Sequence, residues 1–383
     1  MTLLYERQLE PPVTHVFVVG CGRYPFLATD HAADRRAPVA GALALAKVLL
    51  DNRDRLVAPL GSLEMLLSDP EVNAGPTDIG QALGAEIEQT IDPANEQNFR
   101  DCGENWISRI RPGDAVVFYF SGHGIVDRQG GAVGLLEDIR SKQNHPWRQS
   151  FGALNLIQAL QTVGADSVWV FFDGCQEVVA EFAERLWEVK NIDLKEVSLA
   201  DITGEVCEPL ALAGARIGQL AWAPTNGEPP FFTQVLIKGL SGCCVERTNT
   251  HGWAVTGRTL LFGLRQLGET MFEEVVVRTQ PIFPYSEHKA LVAIDQPFMH
   301  LTVRSDPEVH LSHAASIRVM HGDVELYSSA IAQYVWRVDV ALEERDLTIQ
   351  CVSQAGAVEL APQTFRQQAP SHIITLVPVG APV

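Results

Sequence analysis

Two short stretches of the chain hold the residue types of nucleophilic catalysis. "AVVFYFSGHG", residues 115–124, ends a strand-forming apolar run with His123 between two glycines. "SVWVFFDGCQE", residues 167–177, ends a second such run with Cys175 behind Asp173 and Gly174. A cysteine thiolate is a strong nucleophile, and a nearby imidazole both favours the thiolate and later protonates a leaving amine. The two side chains are 52 positions apart, 175 minus 123. Each taken singly has a plainer reading: a histidine in a turn, and a cysteine that is a small buried hydrophobe. A metal site fits less well. Neither residue has a second His, Cys or carboxylate at ligand spacing, and Asp173 would lie beside the thiol on the same strand rather than across from it.

The elements that must position these residues follow from periodicity. From residue 15 to 284, short apolar runs alternate with longer amphipathic ones, the pattern of an α/β unit with a mostly parallel sheet flanked by helices. "HVFVVG" is continuous and β-branched, as a strand buried on both faces should be. "VAGALALAKVLLDN" is rich in good helix formers, and "SLEMLLS" reads as a second strand. "PTDIGQALGAEIEQTI" predicts a helix with Thr77 as its N-cap, and "EQNFRDCGENWISRI" a further helix stopped by "RPGD". The histidine strand is expected over Asp114–Phe120, and "FGALNLIQALQTVGA" predicts a helix that stops near Gly164. Ligands gather beyond the carboxyl ends of strands in open parallel sheets, which is where His123 and Cys175 both fall. After residue 285, runs such as "FMHLTVRS", "YVWRVDVAL" and "LTIQCVSQ" are short and alternating, and predict a small all-β sandwich over 285–383.

Composition narrows the function classes. At 383 residues the chain exceeds what one core normally serves, so two units are expected, 1–284 and 285–383. A formal charge of −18 excludes an electrostatic nucleic-acid binder, which needs clustered Lys and Arg against phosphate. "MTLLYERQLEPPVTH" lacks the basic start and apolar core of a signal peptide, and no window is apolar enough to span a bilayer, so a cytoplasmic protein without membrane contact is expected. Seven cysteines without a CxxC pair predict reduced thiols, and the adjacent Cys243 and Cys244 predict plain packing.

"YFSGHG" and "FFDGCQ" resemble the two catalytic motifs of the caspase-like cysteine peptidases, the group of caspases, metacaspases and bacterial relatives. In caspases the histidine precedes the cysteine by about 50 residues. The likeness continues through "PFFTQVLIKGLSG", "HGWAVT" opening "GRTLLFGLRQL", and "TQPIF", which resemble that family's small-subunit half. Upstream, "RRAPVAGALALAKVL" resembles its first crossover and "GPTDIGQAL" the helix before the histidine strand. The resemblance covers residues 15–284 and implies a caspase-like sheet, a large-subunit-like part over 15–183, a linker over 184–208 and a small-subunit-like part over 209–284.

Carried over residue by residue, the resemblance makes Cys175 the nucleophile and His123 the acid/base, with the backbone N–H of Gly124 and of Cys175 facing the oxyanion. It implies a protein or peptide substrate and no metal or cofactor, and leaves Ca²⁺ or a small-molecule activator open. Asp173 matches the acid with which metacaspases hold a basic P1 side chain, while their second acid is replaced by Leu45. Arg35 and Arg36 lie close to where caspases place an arginine for an acidic P1. Lys190, Asp193, Lys195 and Asp201 offer the linker sites for cleavage on activation. The carboxy-terminal domain, expected to be immunoglobulin-like, would cap the sheet, form a homo-oligomer contact, or sense an activating partner or small molecule, as in bacterial defence or cell-death systems. The competing class is a scaffold that keeps the motifs and acts by binding.

Overall fold

The computed structural model describes residues 2–27, 33–72, 75–84, 87, 90–127, 131–176, 207, 209–272, 279–282, 289–306, 309–330, 334–355 and 357–380. Its centre is a sheet of seven strands: β1 (Thr2–Glu6), β2 (Thr14–Cys21), β3 (Leu60–Ser68), β4 (Ala115–Gly122), β5 (Ser167–Gly174), β6 (Leu210–Ala213) and β7 (Gln280–Pro281), in the spatial order β1-β3-β2-β4-β5-β6-β7. The five inner strands run parallel, and the two edge strands run antiparallel to their neighbours. The continuous apolar runs of β2, β4 and β5 are explained by this placement, since both faces of each strand are covered.

Among the described residues, five helices do the covering: α1 (Ala37–Asp51), α2 (Glu96–Arg109), α3 (Ala153–Thr162), α4 (Phe231–Lys238) and α5 (Gly257–Met271). Val16, Val18, Val117, Tyr119, Trp169 and Phe171 pack on the face shared with α1, α4 and α5. The alternate residues Phe17, Val19, Phe118, Phe120, Val170 and Phe172 pack on the face shared with α2 and α3. The two-residue period of a strand thus feeds two separate apolar layers. Helix ends obey local chemistry: the Asn95 side chain accepts the Asn98 N–H at 2.9 Å, and Thr256 and Thr259 form a capping box.

The helix expected over 76–91 is not formed by its described residues, which instead include a short antiparallel pair, Thr77–Asp78 with Thr90–Ile91. Thr77 caps nothing; its hydroxyl donates to the Leu67 carbonyl at 3.3 Å. Asp78 Oδ1 accepts the Gly80 N–H at 2.8 Å, with Gly80 at φ +54°, a local turn that competes with helix initiation. The helix that precedes the histidine strand is α2. The expected linker, 184–208, with Lys190, Asp193, Lys195 and Asp201, lies outside the described residues apart from Cys207.

The passage into the second unit lies beyond the expected boundary at 285. Ala290–Ala293 is hydrogen-bonded to Gly252–Thr256, which leads into α5, and so belongs with the first unit. From residue 298 the chain forms β8 (Phe298–Ser305), β9 (Ala314–His321), β10 (Val324–Ser329), β11 (Val335–Ala341), β12 (Asp346–Ser353), β13 (Gln363–Arg366) and β14 (Ser371–Leu376). These make a three-stranded sheet, β11-β8-β14, and a four-stranded sheet, β10-β9-β12-β13. All their pairings are antiparallel except β8 with β14. Met299, Leu301 and Leu376 are buried in the same apolar cluster as Leu264 and Leu267 of α5. Polar ties cross the same seam, including Gln266 Nε2 to the Ser371 carbonyl at 2.7 Å and Thr302 Oγ1 to the Thr270 carbonyl at 3.0 Å. No helix among the described residues is long and apolar enough to cross a membrane.

Candidate active site

β4 and β5 are paired in parallel from Ala115 with Ser167 to Gly122 with Gly174. His123 and Cys175 are therefore the first residues beyond matched strand ends, and both line a cavity of about 700 Å³. The same cavity is bounded by Asp173, Ser121, Tyr24, the start of α1 and the loop around Trp222, whose ring is largely exposed at the rim.

Main-chain groups orient both side chains. His123 Nε2 lies 2.6 Å from the Ala33 carbonyl oxygen, which only accepts, so Nε2 carries the hydrogen and Nδ1 keeps the lone pair of the neutral ring. The His123 backbone N–H donates to the Tyr24 hydroxyl at 2.7 Å, and the two rings lie 4.7 Å apart. Tyr24, which carried no signal in the sequence, thus fixes the histidine at both backbone and ring. Beyond the other strand, both main-chain groups of Ala221 face Cys175 Sγ: the N–H donates to it at 3.4 Å, and the thiol donates to the carbonyl at 3.9 Å. Gln176, fully buried, fastens the loop that supplies Ala221: its N–H donates to the Gln219 carbonyl at 2.9 Å, and its Nε2 to the Ala215 carbonyl at 2.6 Å.

The glycines turn out to be required for space. Gly122 is the last residue of β4, and a Cβ there would sit 2.6 Å from the Tyr24 hydroxyl oxygen. A Cβ on Gly124 would collide with the Cys175 carbonyl oxygen and lie 3.0 Å from the Phe172 ring. Gly124–Val126 pairs with Ala132–Leu135, and the Leu135 N–H donates to the His123 carbonyl at 3.0 Å. That parity makes Gly124 and Gly134 a non-hydrogen-bonded pair, so the Gly124 N–H points away from this ladder.

Asp173 is only 3% exposed at the cavity wall. Its Oδ2 accepts the Thr233 hydroxyl of α4, which lies 2.5 Å from the Tyr119 hydroxyl. Its Oδ1 has no hydrogen-bond partner among the described residues. Burial pushes the Asp173 carboxyl up to about 7, with the Thr233 hydrogen bonds pulling the other way.

Of Gly41 and Leu45, it is Gly41 that faces the hydroxyls linked to this carboxylate. Leu45 is fully buried in the core, whereas a Cβ on Gly41 would meet the Tyr119 hydroxyl oxygen at 2.8 Å and Thr233 Oγ1 at 3.4 Å. Arg35 and Arg36 are exposed at the start of α1 and line the cavity. Arg36 is ion-paired with Glu71, and Arg35 Nη1 donates to the Asp34 carbonyl at 2.7 Å. All seven cysteines are free thiols; Cys243 and Cys244 are buried side by side, and Cys243 Sγ donates to the Pro370 carbonyl at 2.9 Å.

No family model matches the sequence. Over 228 residues the chain is 28% identical to protein y4kE of Sinorhizobium fredii (strain NBRC 101917 / NGR234), which is described as uncharacterized. The match spans 59% of this chain and 62% of that protein. Among solved structures, protein GSU0716 from Geobacter sulfurreducens aligns with a TM-score of 0.40 at 13% identity, over 73% of this chain and 94% of that one.

Proposed function

We propose that this chain is a caspase-like cysteine endopeptidase that cuts on the carboxyl side of a basic residue. The observation that supports it most is the matched ending of β4 and β5, with His123 and Cys175 side by side at one cavity. In the proposed reaction Cys175 gives its thiol proton to Nδ1 of His123, and the resulting thiolate attacks the scissile carbonyl carbon. The oxyanion is met by the N–H groups of Gly124 and Cys175, donors of a kind typically worth about a hundredfold or more each. Collapse breaks the C–N bond as the His123 imidazolium gives its proton to the leaving amine, leaving a thioester. Water then attacks the thioester, His123 takes the proton, and the acid product leaves with the thiolate restored.

The basic P1 reading draws on Asp173, whose buried, half-satisfied carboxylate suits a cation and repels an acidic side chain. Arg36, already paired with Glu71, offers less to a substrate carboxylate. Within this reading the carboxy-terminal unit is an immunoglobulin-like regulatory domain. The test is a peptide panel varied at P1, run on the purified chain with Cys175→Ala as the blank, with and without Ca²⁺. Cleavage after Lys or Arg that disappears in the blank is the expected outcome. Cleavage equal in both proteins removes the enzyme reading and leaves the binding scaffold, and an absolute requirement for P1 Asp removes the basic preference.

A further inference from the structure

One wall of the cavity is loop: residues 220–225, which follow β6, line it beside Cys175. The loop has few anchors of its own, since Arg216, Ile217, Gly218, Leu220 and Trp222 are all exposed. Three hydrogen bonds tie it instead to Gln176, the residue after the nucleophile. The Gln176 N–H donates to the Gln219 carbonyl at 2.9 Å, its carbonyl accepts the Gly218 N–H at 2.7 Å, and its Nε2 donates to the Ala215 carbonyl at 2.6 Å. The fourth polar group of Gln176, Oε1, turns away from the loop and accepts from Gln280 Nε2 at 3.2 Å, on the edge strand β7.

The direction of these bonds is fixed. The Ala215 carbonyl only accepts, so the nitrogen of the Gln176 amide must face it; the oxygen then faces Gln280, which has to donate. Gln176 is 1% exposed, so an Oε1 without that donor would find no water in its place. Gln280 is itself held by the sheet. It is the register partner of Ala213, and the Ile282 N–H donates to the Ala211 carbonyl at 2.8 Å.

We propose that Gln280 is a positioning residue of the site: from the edge of the sheet it holds the Gln176 amide, and through that amide the loop wall against which a substrate lies. The inference rests on the peptidase reading for its effect on turnover, but the hold on the loop is measured without cleavage. The experiment compares the full wild-type chain with Gln280→Leu, which removes the donor, and Gln280→Glu, which puts an acceptor of the same shape in its place. Hydrogen exchange over residues 215–223 is followed at about pH 8 and about pH 5, each time against wild type at the same pH, and KM and kcat are measured at about pH 8 with the P1 Lys or Arg peptide. At the higher pH both variants exchange faster over the loop. The KM of each rises about tenfold, and kcat stays within about threefold because the spacing of His123 and Cys175 comes from β4 and β5. At the lower pH the new carboxyl, facing an acceptor, takes up a proton and donates as the amide did. Exchange then returns to the wild-type rate in Gln280→Glu and stays fast in Gln280→Leu. The described titratable groups on the flanking elements, Asp173, Cys175, Cys207 and Arg216, are present in all three chains, so a recovery confined to Gln280→Glu belongs to position 280. Loop exchange and KM equal to wild type in Gln280→Leu, a kcat that falls while KM holds, or variants that behave alike at the lower pH overturn the proposal. Faster exchange with acid recovery in a chain that cleaves no peptide keeps the hold on the loop and removes the peptidase.

Discussion

Around His123 and Cys175, much of the positioning comes from groups that every residue possesses: the Ala33 carbonyl on Nε2, the Ala221 N–H on Sγ, and the Gly124 N–H turned away from its own ladder. Gly124→Ala tests the last of these. Its methyl would press on the Cys175 carbonyl and the Phe172 ring, so under the proposed peptidase reading kcat should fall by about a hundredfold or more while the folding transition survives. An unchanged kcat beside a normal denaturation curve would show that this N–H plays no part. Asp173 gives a pH signature. Its carboxyl, ordinarily near 3.8, is raised to about 7 in the folded chain, so between those values the folded state holds a proton that the unfolded state has released. Stability from this group is present below the lower value and is lost as pH rises through the upper one. Asp173→Asn should therefore gain on wild type between pH 5 and pH 8 by roughly 2–3 kcal/mol in urea denaturation. A difference that is flat across that window would mean that the carboxyl is not desolvated as described.

At the scale of elements, the strands were the readable part of the sequence, and the contacts between elements were not. "HVFVVG" and "SVWVFFDGC" announce β2 and β5 because burial on both faces leaves no polar positions, and α2, α3 and α5 carry periodic faces with identifiable ends. The stretch 76–91 misled because its apolar spacing suits a helix while Asp78 and Gly80 close a turn at its start. β10 and β13 went unmarked; β10 is mostly exposed and has no clear apolar alternation. Cys175, His123 and Asp173 were legible as a constellation, since each follows or ends an apolar strand. Tyr24, Gln176, Ser121 and Thr233 were not, because a phenol, an amide or a hydroxyl reveals its task only once its partner across the sheet is known. Leu45 illustrates the same limit: four residues, about one helical turn, separate it from Gly41, and that turn decides which residue faces the Tyr119 and Thr233 hydroxyls.

At the scale of the whole molecule, the sandwich and the α/β unit share one apolar cluster along α5. Their seam should therefore be strong where it is greasy and weak where it is charged. Leu264→Ala, a truncation of a fully buried side chain, should cost about 2–5 kcal/mol, whereas Lys238→Ala, which removes a solvent-accessible pair with Asp339, should cost less than about 1 kcal/mol. Guanidinium denaturation of both variants checks the contrast; a reversed order would place the hold between the units in the ion pairs. The paired ends of β4 and β5 carry a different kind of consequence. Gly122 and Gly174 close their strands on the same rung, so the starting reach between His123 and Cys175 is set by the spacing of the sheet, roughly 5 Å, and by no loop. Lengthening or trimming the chain between the two residues would change what the cavity admits and leave that reach untouched. A slip of one rung would throw the register partners Ser121 and Asp173 onto opposite faces. The fold thus insulates the spacing of His123 and Cys175 from changes in its loops.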